Sequence, residues 1–178
     1  MGRLILLALV LTAAVVLLPT TAGADSASHS YLLVMEEPNF GVAANGDQIA
    51  ITGEGEFSVN PNSVDASGSF THTDSNGNVR GSGTWTATEL LNYQSYRCGE
   101  VFGQTIPPEL CGGAVKMRVT LTTPNGTLQG ILTVFCVIGT QAPQSILGPL
   151  GEGVTLVVPG VVNFNPSAGG DNVYVQLS

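Results

Sequence analysis

Gly55-Glu56-Phe57-Ser58, Gly68-Ser69-Phe70-Thr71 and Gly83-Thr84-Trp85-Thr86 spell one pattern three times: a glycine, an aromatic two residues on, then a hydroxyl residue. A ring laid over a cross-strand glycine covers bare backbone and offsets glycine's poor strand propensity. The repeat therefore predicts three neighbouring antiparallel strands in which each ring faces a glycine. Between the second and third copies lies Asn76-Gly77, a two-residue hairpin signal because both residues tolerate positive φ. Counting outward pairs Ser75 with Asn78, Thr73 with Arg80, Phe70 with Gly83 and Gly68 with Trp85. The same rule applied to the first two copies pairs Phe57 with Gly68 and Gly55 with Phe70, with the bend at Asn60-Pro61-Asn62-Ser63.

Side chains alternate between the faces of a strand, so one register assigns every residue to a side. Ile49, Ile51, Gly53, Gly55, Phe57 and Val59 fall on one face with Gly68, Phe70, Gly83, Trp85 and Ala87. The other face carries Thr, Ser and acidic residues, among them Glu54 and Glu56, and reads as solvated. Further on, Val115, Met117, Val119 and Leu121 alternate with Lys116, Arg118, Thr120 and Thr122 before a second Asn-Gly turn at Asn125-Gly126. That turn places Leu121 opposite Gly130, Val119 opposite Leu132, Met117 opposite Val134 and Val115 opposite Cys136.

Few charges, many Gly, Ser, Thr and Asn, and no sustained helical pattern predict an all-β chain. Strands are expected near 31–36, 48–59, 64–73, 79–88, 89–97, 114–123, 127–137, 153–158, 161–165 and 172–177. They form an antiparallel meander of eight to ten strands. Long strands bent at glycines favour a closed or nearly closed β-barrel, with a β-sandwich as the alternative. Loops are expected at Glu37 to Asp47, Gly99 to Gly113 and Gly139 to Gly153, the last holding one helical turn near Ser145 to Leu147.

Arg3, the apolar run Leu4 to Leu18, Pro19, and the small residues Ala22 and Ala24 read as a secretory signal peptide, residues 1–24, cleaved after Ala24. The remainder, residues 25–178, suits a single domain, and export points to an extracellular, periplasmic or envelope location without stable membrane insertion. That part carries Arg80, Arg97, Lys116 and Arg118 against thirteen acids, which disfavours nucleic acid as a partner.

An exported chain permits a disulfide, and three cysteines leave one thiol over. Cys98 and Cys136 each close a strand, which favours their pairing; Cys98 with Cys111 is the alternative. No metal or cofactor is expected. Three cysteines lack a fourth zinc ligand. Asp74, Asn76 and Asn78 faintly resemble the start of a calcium loop, but the hairpin turn already explains them.

His72 falls inward near the hairpin tip, opposite Gly81, where it reads as a rim histidine with one wet edge or as an acid or base. Tyr93 and Tyr96 flank Arg97, as a polar and aromatic mouth would. Asn125-Gly126-Thr127 is a glycosylation sequon that also works as a turn. The stretch from Gly81 to Tyr96, with Thr84-Trp85-Thr86-Ala87-Thr88-Glu89-Leu90, resembles a pattern in uncharacterised secreted bacterial all-β proteins. The resemblance implies export and an all-β fold, and brings no activity with it.

The leading functional expectation is a non-catalytic protein that binds a small apolar or amphipathic ligand, lined by Phe57, Phe70, His72, Trp85, Tyr93 and Met117, or a partner through its end loops. The alternatives are a barrel-type cyclase or isomerase, by analogy of fold alone, and a structural envelope protein.

Overall fold

Glycine and aromatic residues on one side and hydroxyl residues on the other produce long antiparallel strands with one wet face. The computed structural model describes residues 27–146 and 151–178; the expected signal peptide lies outside the described residues. The strands are β1 (His29–Met35), β2 (Asn39–Ala43), β3 (Gln48–Val59), β4 (Ser63–Thr73), β5 (Val79–Cys98), β6 (Glu100–Val101), β7 (Gln104–Thr105), β8 (Leu110–Thr123), β9 (Gly126–Cys136), β10 (Gly153–Val158), β11 (Val162–Gly169) and β12 (Asn172–Gln176). One turn of 3₁₀ helix covers Gln144–Ile146.

Ten strands make one antiparallel sheet, and β6 and β7 make a separate small hairpin. Strands β8, β5, β4, β3, β2, β11, β10 and β9 bond in that order and β9 returns to β8, so hydrogen bonds close a ring through eight strands. The order is not a plain meander. β3 bonds β2 through residues 48–51 and β1 through residues 54–59. β8 likewise bonds β9 along 113–123 and β12 at 110–111, so the β1–β12 pair forms a second path between β3 and β8. The expected loop at 37–47 contains β2, a strand too short for its alternation to stand out.

The β4–β5 register agrees with the glycine–aromatic rule: Gly68 faces Trp85, Phe70 faces Gly83 and His72 faces Gly81. At the tip the expectation fails, because Thr73 pairs with Val79 and not with Arg80. Gly77 alone takes positive φ, and the turn runs from Asp74 to Asn78. Asp74 decides this: its Oδ1 accepts from the backbone N–H of Asn76 and of Asn78, each at 2.9 Å, and Arg80 lies 3.0 Å from its Oδ2. The carboxylate that resembled a calcium ligand holds its own turn.

Two other registers slip from expectation. In β3–β4, Gly53 faces Gly68 and Phe57 faces Val64, four residues away from the expected pairing. Trp85 is the cause: its ring spans Gly68 and Gly53, and its Nε1 donates to Thr52 O at 2.9 Å, so one ring covers two glycines. Phe57 turns to another task, packing 5.0 Å from Tyr31 and 4.9 Å from Tyr93 between ring centroids. In β8–β9, Leu121 faces Leu128, Val119 faces Gly130, Met117 faces Leu132 and Val115 faces Val134, a slip of two. Pro124, whose fixed φ suits the first corner of a turn, moves the bend to Pro124-Asn125. Both slips are even, so the inward face survives them.

Strand β5 is a single strand where two were expected. Its pairing with β8 shifts at Thr88, Leu91 and Tyr96, and each bulge reverses the alternation. The core lies inside the ring: Ile49, Ile51, Phe57, Trp85, Met117, Leu132, Leu156 and Phe164 are buried, each such side chain contributing about 1.5–3 kcal/mol.

The disulfide joins Cys98 to Cys111, not Cys98 to Cys136. Cys98 and Cys111 are cross-strand partners, whereas the slip of two sets Cys136 opposite Gly113. Cys136 is buried, with its thiol donating to Asn172 O at 3.0 Å.

Candidate functional site

Four short hairpin turns gather at one end of the ring: β2–β3, β4–β5, β8–β9 and β10–β11. They surround a pocket of about 270 Å³ walled by Ile49, Phe70, Leu121, Leu156, Val158 and Phe164. Leu128 and Val161 stand on its rim and are exposed. The inward positions of successive strands supply this wall, so the alternation that builds the core also makes the pocket apolar.

A hydrogen-bonded polar pair interrupts the wall. His72 Nε2 donates to Asp47 Oδ2 at 2.9 Å, and the imidazole meets Phe164 edge-on at 5.1 Å. His72 comes from the last turn of β4's inward row and Asp47 from the β2–β3 turn. The hydrogen bond from His72 holds the Asp47 carboxyl below its ordinary range, with burial acting in the opposite sense. The pair gives a largely apolar pocket a fixed donor–acceptor point, with Asn45 and Thr123 as its other polar side chains. Sequence reasoning supplied His72 but no carboxylate beside it. The signal was Asp47 flanking a turn, Asn45-Gly46-Asp47, that lies 25 residues away and becomes adjacent only through the β3–β4 pairing.

Gly81, opposite His72, also lines the pocket, and a Cβ there would meet nothing within 4 Å. A small residue thus keeps space open where the fold does not require it.

The six expected lining residues separate. Phe70 and His72 line this pocket. Tyr93 lies at the opposite end, beside a groove with Tyr31, Arg97 and Cys98. Phe57, Trp85 and Met117 are fully buried in the core. Tyr96, expected beside Tyr93 and Arg97, is buried, because the bulge at Tyr96 breaks the alternation between them.

A second polar cluster is buried at the end opposite the hairpins. Asn172 Nδ2 donates to Asn39 Oδ1 at 2.6 Å and to Phe135 O at 2.9 Å, and its backbone N–H donates to Glu152 Oε1 at 3.2 Å. Burial pushes the Glu152 carboxyl up to about 7, despite that bond. Burial raises the Cys136 thiol too, leaving it protonated and unreactive at neutral pH. Among the described residues, no group of three or more His, Cys, Asp or Glu side chains is placed to hold a metal ion. In comparisons with known proteins, no family model, no curated protein and no solved structure matches the chain.

Proposed function

We propose that the protein is exported and binds a small apolar or amphipathic molecule in the hairpin-end pocket, the eight-strand ring acting as a nearly closed barrel that holds this pocket in shape. The observation that carries the reading is a largely apolar wall drawn from successive strands, with the hydrogen-bonded His72–Asp47 pair set into it beside Asn45 and Thr123. Such a site takes an apolar body and orients it through one polar group. The Cys98–Cys111 disulfide suits an oxidising compartment.

Titration with the neutral fluorophore N-phenyl-1-naphthylamine tests it. Saturable binding is expected for the native protein and its loss is expected for Gly81→Phe, which fills the pocket from a position free of backbone clash. Absence of saturable binding, or equal binding by the variant, overturns the reading.

The His72–Asp47 pair favours a second reading, in which the oriented imidazole removes a proton from a bound substrate. Ring opening of 5-nitrobenzisoxazole reports a base in an apolar pocket. Turnover lost in His72→Gln, with folding intact, supports it; no turnover above buffer by the native protein removes it.

A further inference from the structure

The groove at the opposite end differs from the hairpin-end pocket in each property that selects a ligand. It is larger, about 570 Å³, within the range of about 300–1,000 Å³ typical of small-ligand sites. Its lining is mostly polar, with Asn60, Asn62, Asn92, Ser95, Arg97 and Gln176 beside His29, against Tyr31, Tyr93, Val59 and Cys98. No carboxylate lines it, in a chain with thirteen of them.

Arg97 stands apart from the other arginines of the described residues. Arg80 pairs with Asp74 and Arg118 with Glu89, each at 3.0 Å. Arg97 makes no ion pair among the described residues. Its guanidinium has five donors in a planar fork, the match for a carboxylate. The side-chain amides of Asn60, Asn62 and Asn92 hydrogen-bond no other described protein group, and each offers donors beside an acceptor, as adjacent sugar hydroxyls require. The tyrosine rings give the groove an apolar flank.

Backbone geometry singles out the same place. Among the described residues three non-glycine residues take positive φ, and two of them line this groove: Asn60 at 57° and Arg97 at 84°. Left-handed backbone is ordinary for an asparagine in a turn but unfavourable for arginine, and such strained residues concentrate at binding sites, so Arg97 carries the argument. Glycine would relieve the Arg97 position, yet it keeps a side chain rich in hydrogen-bond donors.

We propose that this groove is a second binding site, distinct from the hairpin-end pocket, for an oligosaccharide that bears a carboxylate, with Arg97 taking the acid and the asparagine amides taking hydroxyls. Titration calorimetry with trigalacturonate tests it, with cellotriose as the neutral sugar and acetate as the simple anion. Saturable binding of trigalacturonate is expected, weakened about tenfold or more in Arg97→Gly, which matches loss of one charged contact. Glycine accepts the backbone angle at that position, so the fold is retained, and a melting curve checks it. Gly81→Phe is expected to leave trigalacturonate binding unchanged. The proposal is overturned by no saturable binding to the native protein, by equal binding in Arg97→Gly, by acetate competing as an equal, or by cellotriose binding as tightly.

Discussion

The two ends of the ring are held in opposite electrostatic states. At the hairpin end, Asp47 and Asp74 are kept ionised by donors: His72 for the first, and the backbone and side-chain N–H groups of Asn78 for the second. At the other end, burial keeps a proton on Glu152 up to about pH 7. The hairpin end is made from local turns, and Asp74 is satisfied within four residues, while Asp47 meets His72 through the pairing of adjacent strands. The loop end is made from long-range contacts, where Asn39 meets Asn172 and β1 meets β12, and it carries the disulfide and the buried acid. One end is specified mostly by hairpins between neighbouring strands and the other by closure of the whole chain.

The largest test asks whether the ends are one cooperative unit. A Cβ at Gly68 would run into Thr52 O, Gly53 Cα and the Trp85 ring, mostly backbone that cannot yield. Gly68→Val is expected to cost about 3 kcal/mol, the upper part of the overpacking range. Urea unfolding followed both by Trp85 fluorescence and by far-ultraviolet circular dichroism should show a single shared transition; two separate midpoints would break the comparison into independent halves.

Replacing Cys98 and Cys111 together by serine removes a clamp found only at the loop end. A loss of about 2–4 kcal/mol is expected from the chain-entropy argument, measured by the same unfolding curves. Hydrogen exchange should rise first in β12 and β1 and last in the β4–β5 hairpin. Uniform acceleration would show that the clamp serves both ends alike.

The pH dependence separates them by sign. Glu152 has its folded value raised from an ordinary 4.5 to about 7, so the native state keeps a proton that the unfolded chain has lost. Its contribution is full below pH 4.5 and is lost as pH rises to about 7. Glu152→Gln should flatten stability across that interval. Asp47 and Asp74 behave in the reverse sense: their contributions are full above the ordinary value of 3.8 and are lost as pH falls below it. Asp47→Asn should soften acid unfolding and leave the interval above pH 5 unchanged.

The smallest effects test local geometry. Phe102 and Gly103 form a two-residue turn with both φ positive, and Phe102 is largely exposed there. Phe102→Asn suits that turn and should stabilise the protein by about 0.5–1 kcal/mol, read as a raised melting temperature. Gly81→Val, facing open space, should stay within about 0.5 kcal/mol of native.

Much of the hairpin end was legible from the sequence. Gly68, Phe70, Gly83 and Trp85 set the β4–β5 register, and alternation placed His72 inward opposite Gly81. Applying the same rule to Phe57 failed, since a sequence does not show that one indole covers two glycines while Phe57 joins the tyrosines. The turn at Pro124-Asn125 was readable from Pro124, but the Asn-Gly signal beside it outweighed it. The disulfide was missed because β8 begins at Leu110, inside the expected loop, and so sets Cys111 directly opposite Cys98. Asp47 and the Asn39–Asn172 contact were illegible for one reason: each depends on which strands neighbour one another, and alternation within a strand is silent on that.

Every strand of the ten-stranded sheet has partners on both sides, because β9 returns to β8 and β1 returns to β3. Long strands rich in threonine and β-branched residues, with few charges, are the material from which fibrils grow, and growth starts at an unpaired strand edge. Among the described residues, the open edges are β6 and β7, two residues each, and the stretch of β5 beyond Thr86, which pairs with β8 alone and is bent by bulges. Closure of the ring thus acts as a solubility device. A variant that opens the β8–β9 seam should be sought in the insoluble fraction before its folding energy is discussed.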